Sequence, residues 1–293
     1  MEKQRGRYAV EKMCKVLKVS PNAYYNWRKN KDKVPSKRTK DRQRLMEKIE
    51  QIWMDSQQTY GSPRLKKALE KEGFDYSISY VARLMKELNI ASIRQKKWVC
   101  TTDSKHDLPV AENLLKQDFR AEKLGEKWVS DITYVKVNQN WNYLTTVIDL
   151  ADRKIIGWSF STDMYTTSTV LPAWSRAIQN RKPSKELIFH SDRGSQYASE
   201  LMCKAIAEHP TTKQSMSGKG NCYDNAVAES FFKTIKSELI NHCKYQSYQQ
   251  AYLSIHNYIE NFYNSKRLHS SLGYKTPNQM EKHFKLNSNQ KIS

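Results

Sequence analysis

The chain has 293 residues, 38% of them hydrophobic, and a mean hydropathy of −0.82, enough sequence for one large domain or two to three small ones. No apolar run approaches the ~18 residues that span a bilayer, and no apolar segment follows the basic N-terminus as it would in a secretory signal. Five scattered cysteines without a Cys-x-x-Cys pair argue against a disulfide framework or zinc ribbon and predict a cytoplasmic protein.

Charge is the most informative part of the composition. Fifty Lys and Arg against thirty Asp and Glu give a net charge of +20, and residues 1–40 contain 13 of the basic residues but only three acidic ones. This excess favours a polyanionic partner, because each neutralised phosphate releases condensed counterions. A solvated basic surface is the alternative. Membrane binding is disfavoured, since the basic stretches lack a sustained apolar face.

The first 40 residues predict a basic segment that resembles a helix-turn-helix. Over 8–28, two short helices are separated by a tight turn, and Ser20-Pro21 gives the second one a cap and a proline as its first residue. Flanking basic residues, including Arg28, suit docking in a DNA major groove. A helical packing unit without a DNA role is the alternative, and 30–40 is predicted to be a linker.

A second small helical unit, also expected to bind DNA, is predicted over 41–90. Helical spacing recurs in three stretches: residues 41–56, a helix capped by Ser62 with Pro63 in its first turn, and a helix after Gly73. Residues 91–126 are polar and of mixed charge, so they predict an extended linker with one short helix near 111–124.

From residue 127 the pattern changes, and 127–245 predicts an α/β catalytic core followed by a C-terminal helix and tail over 246–293. The predicted elements, in order, are strands 128–137, 143–149 and 154–160, helix 167–179, strand 187–190, helix 199–208, strand 213–216, and helices 225–240 and 248–263. This is the order of the ribonuclease-H-like fold, a mixed five-stranded sheet with helices, although other α/β folds are compatible with it.

Three carboxylates in this core suggest metal-dependent chemistry. Asp131 lies in the middle of the first strand, Asp192 directly follows the short strand, and Glu229 is near the start of a helix. Joining and cutting DNA strands is served by two Mg²⁺ ions ~3.5–4 Å apart, and Mg²⁺ prefers oxygen ligands brought together from separate elements. The alternatives are an outward-facing Asp131, a turn-forming Asp192 and a Glu229 that favours a helix N-terminus.

Taken together, the motifs resemble those of insertion-sequence transposases related to retroviral integrases, and more closely the second-reading-frame product of the IS three family. The resemblance covers nearly the whole chain. The motifs that carry it are Tyr60–Arg64, Trp128–Thr133, His190–Tyr197, Gln214–Ser217 leading into Gly220-Asn221, Asp224–Ala226, Glu229–Phe232 with Lys236, and Tyr263–Tyr274.

The resemblance implies a ribonuclease-H-like catalytic domain with Asp131, Asp192 and Glu229 as metal ligands, and two Mg²⁺ ions (or Mn²⁺) as cofactor. It also implies cleavage at the 3′ ends of a mobile element, strand transfer into target DNA, and a homo-oligomer holding double-stranded DNA at both terminal inverted repeats. A protein from an upstream reading frame is a further expected partner or fusion, and the expected location is the bacterial cytoplasm, on the nucleoid.

One departure from the family pattern concerns the third ligand. Thirty-six residues separate Asp192 from Glu229, one more than the family usually has, and we expect the extra residue in the loop over 209–213, where insertion is tolerated. Asp224 is the fallback ligand but is expected to cap the helix near Asn225. Asp149 and Asp152 also lie near strand ends and compete for the metal role; we expect them to bind a turn instead.

Further residues are candidates for DNA contact or for support of the site. Lys236 lies two helical turns after Glu229 on the same face, where it suits a phosphate near the metals, and Lys233 is similar. The DNA-contact candidates are Arg28, Arg64, Lys233, Lys236, Arg267 and His269, and the supporting candidates are His190 and Asn225. For the lysines the alternative is a solvated helix surface, for His190 a structural role, and for Arg267 and His269 the docking of the tail on the core.

Two other functions remain open from the residues alone. One is a DNA-binding regulator that has lost catalysis, against which the intact Asp, Asp and Glu set argues. The other is a structure-selective nuclease of the same fold, which two upstream helical units fit less well than they fit recognition of element ends.

Overall fold

A computed structural model of the chain describes residues 1–30, 36–93, 110–218 and 222–290. The predicted linker at 30–40, the linker at 91–126 and the Gly220-Asn221 motif therefore fall partly or wholly outside the described residues. The chain divides into two compact units, Met1–Gln51 and Ile52–Ser293. No helix in the described ranges is long and apolar enough to cross a membrane.

The first unit contains helices α1 (Val10–Leu17) and α2 (Pro21–Asn30) and the first part of α3 (Lys37–Asp55), preceded by a 3₁₀ turn at Glu2–Gln4. Helix α2 starts as the sequence predicts, because the Ser20 hydroxyl accepts a hydrogen bond from the backbone N–H of Ala23 at 3.0 Å. Helix α3 begins four residues earlier than predicted.

The second unit opens with the end of α3 and two short helices, α4 (Ser62–Lys71) and α5 (Ile78–Glu87). The predicted cap of α4 is wrong by one residue: Gly61 is the N-cap, and Ser62 is the first helical residue. Ser77 caps α5 by accepting from the backbone N–H of Tyr80 at 3.2 Å.

The core of this unit is one mixed sheet with strand order β3-β2-β1-β4-β5. The strands are β1 (Lys127–Val137), β2 (Asn140–Asp149), β3 (Ile155–Ser161), β4 (Leu187–Ser191) and β5 (Thr212–Met216). The first three are antiparallel neighbours, whereas β4 runs parallel to β1 and β5 parallel to β4. The predicted strands are all present, and the ribonuclease-H-like order is confirmed.

Helices cover both faces of the sheet. One face packs on α6 (Val170–Asn180), α7 (Ser195–Ala198) and α8 (Glu200–Ala207); the other packs on α9 (Ala226–Glu238) and α10 (Tyr248–His256), which continues as a π-helix over Asn257–Tyr263. Strand β1 alternates between the two, since Trp128 belongs to the first core and Val129 to the second. Gly157 permits close packing of α6, because a Cβ there would lie 2.2 Å from the Ala173 carbonyl oxygen.

Two elements differ from the sequence prediction. The helix expected near 111–124 does not exist: residues 110–126 form an irregular strap whose Leu115 side chain is buried in the core and whose Leu114 and Leu115 N–H groups donate to the Ser215 hydroxyl. These tertiary bonds replace the intrahelical ones. A C-terminal helix, α11 (Pro277–Gln290), was not predicted, and its Glu281 pairs with Lys154 and Arg181.

Candidate active site

Asp131 and Asp192 occupy aligned positions on neighbouring strands. In the parallel pairing of β1 with β4, Trp128 is opposite Phe189 and Val129 is opposite His190. Continued by two residues, this register places Asp131 beside Asp192, which directly follows β4. Neighbouring strands are ~4.8 Å apart, so the fold brings two carboxylates together where β4 ends and β1 continues.

The electrostatics of Asp131 show that these charges are close. Burial, Asp192 and Glu229 raise the pKa of the Asp131 carboxyl well above its usual range, with burial the largest cause. The backbone N–H of Ile132, which donates to Asp131 at 2.8 Å, and the Lys236 ammonium act in the opposite direction. Burial and like charge together therefore outweigh the groups that stabilise the Asp131 carboxylate.

Helix α9 carries Glu229 and Lys236 over the face of β1 that contains Asp131. Its apolar residues pack in the same core as Val129 and Val135, and Asp131 shares the alternation of these two residues. Glu229 is exposed, and partial burial raises the pKa of its carboxyl. The Lys236 side chain is only 5% exposed and lies in the field of Asp131, whereas Lys233 is exposed.

Asp224 is held away from this site. Its carboxylate accepts from the side-chain amides of Asn113 (2.9 Å) and Gln117 (3.0 Å) and from the backbone N–H of Gly218 (2.7 Å). It was expected to cap α9, and this expectation is wrong: Asn225 is the N-cap, without a side-chain cap bond, and its amide donates to the Ser130 carbonyl at 3.0 Å. Asp224 therefore ties the strap to the loop before α9.

His190 is a buried structural residue next to the site. The Ser215 hydroxyl accepts from the strap, so its own proton goes to His190 Nδ1 at 2.8 Å, and Nε2–H faces the Ser217 hydroxyl at 3.3 Å. Burial lowers the pKa of His190 to about 4, against the opposing effect of Asp224. The ring is thus neutral near pH 7, and it links the strap to the end of β4.

The tail residues predicted to contact DNA are inside the protein. Arg267 forms a two-pronged ion pair with Glu238 (2.8 and 2.7 Å), and Arg64 lies 3.7 Å from the same carboxylate. His269 is 8% exposed, and burial together with Arg267 and Arg64 lowers its pKa to about 3. The assignment of Arg267 and His269 as DNA contacts is therefore corrected, because both side chains dock the tail on the core.

The Tyr60–Arg64 motif is part of the same network. The Tyr60 hydroxyl donates to the Lys266 carbonyl at 3.0 Å and accepts from the Leu268 N–H at 2.9 Å. Two motifs separated by about 200 residues thus support each other, which leaves Arg64 mostly enclosed. Arg28, in the first unit, lies 3.6 Å from Glu2 and remains partly exposed.

The donor set fits a hard divalent cation. Asp131, Asp192 and Glu229 supply only carboxylate oxygens, the ligands Mg²⁺ prefers, and a cation among them would relieve the repulsion that helps to raise the Asp131 pKa. Within residues 1–30, 36–93, 110–218 and 222–290, no three His, Cys, Asp or Glu side chains already form a metal-binding group. Glu229 is thus near enough to influence Asp131 without completing a ligand cage.

Sequence reasoning missed two strap residues that support the site. The side-chain amides of Asn113 and Gln117 donate to Asp224. Their only signal in the sequence is that they are polar residues in a stretch that looks like a linker, because Asp224 is more than 100 residues later in the chain.

The strand order and the paired carboxylates define an integrase-type catalytic core. Family models agree: an integrase core domain matches residues 121–222 and again 211–277, and an HTH-like domain matches 40–98. The integrase match over 211–277 includes α9 with Glu229, and the HTH-like match includes α4 and α5.

Relatives with known names identify the particular family. The chain is 36% identical over 281 residues to transposase InsF for insertion sequence IS3A of Escherichia coli (strain K12), covering 96% of each chain. It is 39% identical over 265 residues to an uncharacterized 31 kDa protein of insertion element IS600 from Shigella sonnei, covering 90% of this chain and 96% of that one. The chain therefore belongs to the IS3 family of insertion-sequence transposases.

Solved structures show a looser likeness in fold. A chain of the simian T-cell lymphotropic virus intasome is 15% identical with a TM-score of 0.45, covering 73% of this chain and 69% of that one. The HTLV-2 integrase catalytic core domain, in complex with magnesium, is 17% identical with a TM-score of 0.41, covering 55% and 99%. The family assignment rests on the sequence relatives and not on these structures.

Proposed function

We propose that this transposase cuts the 3′ ends of an insertion sequence and joins them to target DNA at a site formed by Asp131, Asp192 and Glu229. The observation that carries the proposal is the alignment of Asp131 and Asp192 on adjacent strands. The charge of Glu229 also raises the pKa of the Asp131 carboxyl. Like charges held together are costly for the apo fold, and such sites are typical of function.

Asp131, Asp192 and Glu229 would hold the two Mg²⁺ or Mn²⁺ ions that this chemistry uses. When bound there, the ions supply charge neutralisation at phosphorus and a lowered pKa of the attacking oxygen. The carboxylates come from β1, from the end of β4 and from α9, so the core must be folded before the donor set exists. Water attacks a phosphodiester at the element end, and the freed 3′-OH then attacks a target phosphodiester; each step forms and breaks one P–O bond.

The remaining residues position the strand and offset its charge. Lys236, buried beside Asp131, would place a positive charge near the non-bridging oxygens, and the exposed Lys233 would contact the phosphate backbone one turn earlier on α9. Asn225 fixes the start of α9 against β1 through the Ser130 carbonyl. His190 and Asp224 hold the strap and the end of β4 in place.

DNA binding outside the site is assigned to the basic N-terminal segment and the HTH-like region. Residues 1–40, with 13 basic residues, supply a salt-dependent phosphate attraction, and Arg28 and Arg64 remain contact candidates. A homo-oligomer on two element ends, an upstream-frame partner and a cytoplasmic, nucleoid-associated location are parts of the same proposal.

The test is an end-cleavage and strand-transfer assay on labelled duplexes carrying the element's terminal inverted repeats, with Mg²⁺. Asp192→Asn should reduce both steps by about 10³-fold or more, since the metal loses a charged ligand, while duplex affinity stays within a few-fold. Asp118→Asn is the matched control, because that carboxylate pairs with Lys127 away from the site. Normal strand transfer by Asp192→Asn would show that the metal assignment is wrong, and cleavage without joining by the wild type would indicate a nuclease.

A further inference from the structure

The β1–β2 hairpin extends beyond the part of the sheet that contains the carboxylates. Strand β4 pairs with β1 only as far as Val129, and β3 pairs with β2 only from Tyr143 onward. In the final part of the hairpin, Tyr134 is directly opposite Tyr143, and Lys136 is directly opposite Trp141. Directly opposed residues project from the same face, so these four side chains form one group, here called the hairpin cluster.

The hairpin cluster is aromatic and basic, with Lys136 and Trp141 exposed to solvent and the two tyrosines half-buried. The Tyr134 ring lies 5.3 Å from the Tyr143 ring at 64° and 6.1 Å from the Trp141 ring at 87°. The Lys136 ammonium lies 5.9 Å from the centre of the Trp141 ring. Even with these contacts, Trp141 keeps 55% of its surface exposed. Packing within the hairpin therefore does not explain why a tryptophan lies largely exposed beside a lysine.

The position of the hairpin cluster relates it to the proposed active site. Tyr134 follows Asp131 by three residues on the same strand, and at ~3.3 Å per residue the cluster begins ~10 Å from Asp131 and ends ~17 Å from it at Lys136. Burial, Tyr143 and the charge of Asp192 raise the pKa of the Tyr134 hydroxyl, which agrees with this proximity. Tyr134 is an odd number of residues from Asp131 and therefore projects from the opposite face of β1. Beyond Val129, however, β4 leaves this edge of β1 unpaired. A DNA strand that passes from the carboxylates around this edge would meet these rings.

We propose that Tyr134, Lys136, Trp141 and Tyr143 bind unpaired bases of the DNA strand next to the scissile phosphate. Every base has a π-face that stacks on an aromatic ring, and a lysine among the rings holds the phosphate backbone. The charge of Lys136 and the net charge of +20 fit a nucleic acid. The proposal rests on the proposed function, because that function brings a strand end to Asp131 and Asp192.

The test compares single-stranded and duplex DNA binding by the full chain. Fluorescein-labelled dT12 and a blunt 12-base-pair duplex are titrated by anisotropy in EDTA, so that metal plays no part. Trp141→Leu should weaken dT12 binding by about 5- to 100-fold, the range expected for loss of one base stacked on an aromatic ring, and change duplex binding by less than about twofold. Trp141→Phe, which keeps a ring, should retain most of the dT12 affinity.

Two further variants separate base stacking from the loss of any exposed apolar side chain and from unfolding. Leu253→Ala removes an exposed apolar side chain on α10, 54% exposed, and should leave dT12 binding unchanged. Lys136→Gln, which leaves the rings in place, should weaken dT12 binding and reduce its salt dependence, and it keeps the test valid if Trp141→Leu unfolds. Equal loss on dT12 and duplex, or no loss in any variant, would overturn the proposal.

Two further outcomes are distinguishable. If Trp141→Leu changed the molar mass by light scattering while dT12 affinity stayed normal, the hairpin cluster would be a contact between copies of the chain, and the proposal would be overturned. If Asp192→Asn retained strand transfer while Trp141→Leu still lost dT12 affinity, the proposed metal site would fail but base binding by the hairpin cluster would stand.

Discussion

The sheet carries two pairs of aspartates, and the surroundings of the two pairs are opposite. Asp149 and Asp152, at the turn between β2 and β3, are fully buried and share the guanidinium of Arg181 at 2.7 to 3.0 Å. Asp149 also accepts from the Gly125 N–H and the Trp128 indole. Asp131 and Asp192 are half-buried, and at Asp131 burial and repulsion exceed the compensation from Lys236.

The difference shows which acidic pair is structural and which is available for chemistry. A buried carboxylate with a matched guanidinium and backbone donors has no capacity left for a metal, and it holds β1, β2 and α6 together. A pair whose repulsion exceeds its local compensation destabilises the apo fold and attracts a divalent cation. The sequence predicts that Asp149 and Asp152 bind a turn, but it does not show the Arg181 guanidinium that they share, because Arg181 lies about 30 residues later in the chain.

The largest expected effect on stability comes from removing Arg181, whose guanidinium pairs with both Asp149 and Asp152. Arg181→Met keeps much of the side-chain volume but leaves Asp149 and Asp152 buried without their partner, so the free energy of unfolding should fall by about 3–5 kcal/mol. Urea denaturation measures it. Lys204→Met, which breaks an exposed i,i+4 pair with Glu200, should cost at most about 0.5 kcal/mol. Similar losses in the two variants would contradict a structural role for Arg181.

At the pair Asp131 and Asp192, removing a charge is expected to stabilise the protein. Asp131→Asn should raise the free energy of unfolding by about 1 kcal/mol in EDTA, as often happens when a strained active-site group is removed. Since the folded-state pKa of Asp131 is raised, the folded protein binds the extra proton above pH ~3.9. Wild-type stability is therefore lost as pH rises through the folded pKa, and the gain from Asp131→Asn should be larger at pH 8 than at pH 5. A less stable variant at pH 8 would show instead that the folded protein stabilises the Asp131 carboxylate.

Much of this arrangement follows from local sequence, and the exceptions have a common cause. Alternating apolar residues identify β1, and the turn after β4 identifies Asp192, because these patterns concern neighbours along the chain. The strap is not helical because Ser215 and Asp224, about 100 residues later, bind its backbone and side chains. The sequence around Arg267 suggests a surface cation, because its partner Glu238 lies about 30 residues earlier in the chain. Helix α11 is likewise held to the core by ion pairs of Glu281 with Arg181 and Lys154, which are distant in sequence.

The position of bound metal decides which of the two aspartate pairs serves the chemistry. Crystals of the chain soaked in MnCl₂ and measured at the manganese absorption edge should show anomalous peaks with carboxylate oxygens of Asp131, Asp192 and Glu229 at ligand distances of roughly 2.1–2.2 Å. The peaks should be absent in Asp131→Asn crystals soaked in the same way. Manganese bound at Asp149 and Asp152, a site completed by Asp224 in place of Glu229, or no peak at saturating Mn²⁺ would contradict the proposed metal site.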